Sequence, residues 1–76
     1  MTPAERITHA LAVWPGREVD VAEEVGVSKS RLRVWAAKGE GRYMGPTNSD
    51  AETVVRAVEA LLVRRLQQLG DSYSLP

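Results

Sequence analysis

Apolar residues recur along this chain in runs with helical spacing, separated by glycine, proline and serine. The first run is Ile7, Ala10, Leu11 and Trp14, at i, i+3, i+4 and i+7, the spacing of one helix face. Thr2 stands ahead of it as an N-cap, Pro3 takes the first helical position, and Glu5 completes a capping box in which each side chain satisfies the other's backbone N–H. Pro15 and Gly16 stop the run. The second predicted helix covers about 18–25, with Val21, Ala22 and Val25 on one face, and ends at Gly26, where φ can turn positive at little cost. Ser28 then caps a third helix over 29–38. Its Leu32 and Trp35 point inward, Lys29, Ser30 and Arg33 point outward, and Gly39 ends it.

Breakers make 39–48 a loop, and Ser49 with Glu52 predicts a second capping box opening a helix over about 50–69, ahead of Gly70. This helix carries Val55, Val58, Leu62, Leu66 and Leu69, spaced 3, 4, 4 and 3, with Val54 and Leu61 widening the stripe and Val63 outside it. At 1.5 Å per residue it is roughly 30 Å long, more than a small three-helix core can cover. Its C-terminal half is therefore expected to pair with a second copy, making Val55, Val58, Leu62, Leu66 and Leu69 the interface of a homodimer. Arg64 and Arg65 near its end suit the negative pole of the helix. The pattern gives an all-α fold: a single compact domain over 1–70, with about four helices and a long last one, and a frayed tail over 71–76.

Composition agrees with one globular domain: 76 residues, 43% hydrophobic and 26% charged. With no cysteine there is neither a disulfide nor a thiolate, and a core this small supplies only ~3 to 5 kcal/mol, so dimerisation is the remaining support. The single histidine, His9, lies off the apolar stripe and reads as a solvated side chain, so no metal or cofactor is expected. Glu23 and Glu24 are adjacent on a helix and face different ways, which unfits them as a catalytic pair. No nucleophile and base, no phosphate-binding glycine loop and no small-molecule site is evident, so an enzyme is not expected. No apolar stretch approaches the roughly 20 residues that span a bilayer, and no basic region leads into an apolar run at the N-terminus, so a cytoplasmic protein is expected.

The net charge of zero hides a segregated distribution. Residues 1–28 carry a balance of −3, residues 29–42 a balance of +4 and residues 43–76 a balance of −1. Lys29, Arg31, Arg33, Lys38 and Arg42 make up half of all the positive charge, so a phosphate-facing patch exists without a basic protein around it.

Two short helices can cross closely only where the side chains between them are small. Ala22 and Gly26, four residues apart, meet that need, with Val27 plugging the turn and Val21, Leu32 and Trp35 beneath it. Over about twenty residues, from Glu18 to Ala37, this set resembles the helix-turn-helix of bacterial and phage transcription regulators. The resemblance implies that the helix over 29–38 enters the major groove of duplex DNA while the helix before it crosses the backbone. Carried over by position, Ser28, Lys29 and Ser30 lie at the entry end, with Arg33 and Val34 one turn later. Arg33 is the foremost candidate for base readout, since a guanidinium grips guanine O6 and N7 bidentately. Lys29 would do the same or hold a phosphate, and Val34 would meet a thymine methyl. Arg31, Lys38 and Arg42 would contact phosphates, which position a protein without reading sequence.

Arg42 and Tyr43 fall where winged-helix relatives, excisionases and MerR-like regulators among them, carry a basic β-hairpin. The preferred reading is an extended loop with Arg42 on a phosphate or the minor groove and Tyr43 against the domain. The expectation is thus a sequence-specific regulator of phage or mobile-element repressor type, acting as a dimer on two half-sites ~34 Å apart. The alternatives are an excisionase-like architectural factor that bends DNA, and a protein-interaction or antitoxin-like module whose basic face meets an acidic partner.

Overall fold

The computed structural model describes residues 1–37 and 45–72, the last two of these as backbone only. They form four helices, α1 (Pro3–Val13), α2 (Glu18–Val25), α3 (Lys29–Ala36) and α4 (Asn48–Ser72), and no strand occurs among the described residues. The fold is all-α with a long last helix, as the periodicity predicts.

Local chemistry sets the first three helices. Thr2 and Glu5 form the expected box, with the Glu5 N–H donating to Thr2 Oγ1 at 3.2 Å and the Thr2 N–H donating to Glu5 Oε1 at 2.8 Å. The Asp20 carboxylate accepts from the Arg17 N–H at 3.2 Å and so ties down the start of α2. Gly26 ends α2 at φ 92°, and its N–H and that of Val27 both donate to the Ala22 carbonyl. Ser28 Oγ accepts from the Arg31 N–H at 3.1 Å and opens α3.

The core is a cluster built from Ile7 and Ala10 of α1, Val21 and Ala22 of α2, Leu32 and Trp35 of α3, and Ala51, Val54 and Val58 of α4. α4 packs against α1 and α2, and both of these pack on α3. Thr8 adds a polar tie, its hydroxyl donating to the Ala36 carbonyl in the last turn of α3 at 3.1 Å. Trp14, the last residue of the predicted apolar stripe, is only half-buried: it caps α1 and folds its ring over Gly16 at the edge of the core, donating from Nε1 to the Arg17 carbonyl at 3.1 Å.

α4 departs from expectation at both ends. It begins two residues early, on a box made by Thr47 and Asp50 rather than Ser49 and Glu52. The Asp50 N–H donates to Thr47 Oγ1 at 3.1 Å and the Thr47 N–H to Asp50 Oδ2 at 3.0 Å. Glu52 instead pairs with Arg56 one turn on, at 2.6 Å. The helix also runs through Gly70 to Ser72, because one glycine in a helix costs only about 1 kcal/mol and the preceding turns already carry the hydrogen-bond ladder. Of the expected tail, residues 71 and 72 are helical and the rest lies outside the described residues.

That length corrects the roles of Arg64 and Arg65. They sit more than a turn before the end of the helix, beyond the reach of its terminal partial charge. Arg64 pairs with Glu24 of α2, and the Arg65 guanidinium lies 5.8 Å from the centroid of the Trp14 ring. Both arginines therefore fasten the middle of α4 to the rest of the domain.

The expected dimer stripe is also divided. Val58 is 3% exposed and belongs to the core of the single chain, so it is not available to a second copy. Val55 and Leu62 are half-buried against the same core. Beyond Leu62 the apolar side of α4 turns to solvent while Arg64 and Arg65 still reach Glu24 and Trp14, and Val63, Leu66 and Leu69 are 52%, 67% and 51% exposed. No helix among the described residues is long and apolar enough to cross a membrane.

Candidate nucleic-acid interface

α3 is seated by two buried side chains, Leu32 and Trp35, on the face that meets α1 and α2. With those two fixed, the 3.6-residue period sends Lys29, Ser30, Arg31, Arg33 and Val34 outward, and all five are exposed. Lys29 and Arg33 are four apart and stack along one face, as do Ser30 and Val34. Ser28 lies at the entry end, where its side chain is occupied in capping. Lys38, Arg42 and Tyr43 lie outside the described residues, as does the expected loop or wing of 39–48 apart from the non-helical 45–47 and Asn48, which already belongs to α4.

The exposed cations differ in their surroundings. Lys29 and Arg31 have no ion-pair partner among the described residues. Arg33 does: its Nε lies 3.3 Å from Glu18 Oε2, the carboxylate of the first residue of α2. The pair spans the two helices across the turn. Its side chains are 64% and 44% exposed, so water screens it and it contributes at most ~1 kcal/mol to stability. Sequence reasoning overlooked Glu18, because a partner fifteen residues away on a second helix becomes visible only once the helices are packed.

α2 carries the opposite charge beside this face. Glu18, Glu23 and Glu24 are exposed, and Glu24 is neutralised by Arg64. His9 is exposed on α1, and no group of three His, Cys, Asp or Glu side chains that could hold a metal occurs among the described residues. Two grooves among the described residues lie away from α3's outer face, one between α1 and α4 beside Val13 and Val55, another along the end of α4 beside Leu62, Leu66 and Leu69.

No family model, curated protein or solved structure matches the chain.

Proposed function

We propose that the protein is a non-catalytic, sequence-specific binder of duplex DNA that regulates transcription in the cytoplasm, in the manner of a phage or mobile-element repressor. The observation that carries this reading is the presentation of α3. A helix capped by Ser28 and rooted by Leu32 and Trp35 holds Lys29, Ser30, Arg31, Arg33 and Val34 outward on its far side. An α-helix of this size fits the major groove, and the side chains it offers suit its contents. Arginine and lysine suit guanine and phosphate, serine suits any edge, and valine suits a thymine methyl. In this reading Arg33 reads a base, and Arg31 holds a phosphate with Lys29 beside it.

The reading includes a second copy of the chain. The exposed end of α4, with Leu66 and Leu69, would pair with its equivalent and set two copies of α3 on successive turns of one duplex face. Selection of bound sites from random duplexes tests the whole proposal. A two-fold symmetric preferred site that loses preference at one base pair per half-site in Arg33→Ala supports it. No enriched sequence, or an equal loss on all sequences, overturns it.

A further inference from the structure

The Glu18–Arg33 contact is unusual in where it sits. A carboxylate at the edge of a DNA-binding face repels every phosphate, and an exposed pair adds little to the fold, so neither affinity nor stability accounts for it. The atoms in contact suggest what does. Glu18 meets Arg33 through Nε, and neither terminal nitrogen of the guanidinium has a partner among the described residues. Those two nitrogens, Nη1 and Nη2, form the end of the fork that donates in parallel to two acceptors.

We propose that Glu18 is a positioning residue for base recognition: it holds Arg33 by Nε so that Nη1 and Nη2 face a guanine together. The inference rests on the DNA-reading role of α3. Both ends of the device are fixed independently of each other. Glu18 is the first residue of α2, where the unpaired N–H groups of the helix favour a carboxylate, and the buried Val21 and Ala22 anchor α2 within the next turn. Arg33 follows Leu32, which is fully buried, so its backbone has no freedom to wander. Between them lies only a flexible side chain whose rotamers the contact restricts. A guanidinium already held in one orientation gives up less freedom on meeting O6 and N7. The same carboxylate weakens attachment to phosphates anywhere else. The two effects add in the ratio of specific to non-specific binding.

The test uses the full chain, the site it selects from random duplexes, and the same site with the Arg33-dependent guanine replaced by adenine. Wild type is expected to prefer the guanine site, and Glu18→Ala is expected to lose that preference by roughly tenfold while binding an unrelated duplex at least as well. Glu18→Gln keeps an oxygen that accepts from Nε and loses the charge, so it is expected to retain most of the guanine preference. Thermal unfolding of both variants should show the same small loss, since both remove the Glu18 charge from the start of α2, so a difference in guanine preference between them does not come from stability. The inference is overturned if Glu18→Ala keeps the full preference, or if Glu18→Gln loses as much as Glu18→Ala. Loss of guanine preference in Arg33→Ala alone leaves the DNA-reading proposal intact and defeats only the role of Glu18. A wild-type chain that enriches no site defeats both.

Discussion

The indole of Trp14 fills the space that a side chain at Gly16 would need: a Cβ there would lie 2.6 Å from Cζ2 and 2.7 Å from Cε2 of the ring. Gly16→Ala must push the ring outward, breaking its hydrogen bond to the Arg17 carbonyl and its contact with Arg65. The expected cost is ~1 to 3 kcal/mol in urea unfolding, with tryptophan emission shifted to the red. Gly26→Ala should cost ~1 to 2 kcal/mol by a different route, since nothing lies near its Cβ and only its φ of 92° opposes a side chain. Its emission should stay unchanged.

The two candidate caps of α4 give a sharp contrast. Thr47→Ala removes the acceptor for the Asp50 N–H and should lower stability by about 1 kcal/mol, whereas Ser49→Ala should be nearly neutral. Thermal denaturation followed by circular dichroism distinguishes them. An equal effect at both positions would contradict the observed start of the helix.

Pairing of two chains is proposed through residues that the single chain does not use. Leu66→Asp with Leu69→Asp should halve the mass measured by sedimentation equilibrium and leave helical content intact. Val58→Asp, at 3% exposure, should unfold the chain instead, because an unpaired carboxylate would enter the core. A wild-type protein that sediments as a single chain defeats the pairing.

Binding to duplex should weaken with salt by ~0.9 in log–log slope for each phosphate neutralised. Arg31 has no ion-pair partner among the described residues, so Arg31→Ala should reduce that slope by about one and weaken all sequences alike. A change in sequence preference in this variant would move Arg31 from phosphate to base.

What could be read in advance was what local chemistry decides. Thr2 with Glu5, Ser28 ahead of Lys29, and the stripe from Ile7 to Trp14 each involve residues within two turns, and α1 and α3 begin where those signals placed them; α3 stops sooner than the expected Lys38, at Ala36, with Ala37 as its C-cap. The start of α4 was misread because Thr47 and Ser49 each have an acid three residues later, and a helix extends back to the first competent cap. Val58 falls in the core and not in the expected interface because a continuous apolar stripe does not mark where the core of the single chain ends, and only the packing of α1 and α2 against α4 decides it. Of the proposed reading face, the outward set on α3 follows from its period. The hold of Glu18 on Arg33 does not, since it depends on how two helices lie against each other.

The acidic surface of α2 beside the basic surface of α3 has a further consequence for a molecule without net charge. Such a body is not drawn to a polyanion from afar so much as turned by it. The field of a duplex exerts a torque that brings α3 round before it supplies much attraction, and this influence fades with distance faster than that of a net charge. On the proposed reading, the protein should meet DNA in the correct orientation yet accumulate little on sequences it does not recognise. A small pool of molecules would then stay free to find a few sites, and neutrality would act as a guard against being titrated away by the rest of the genome.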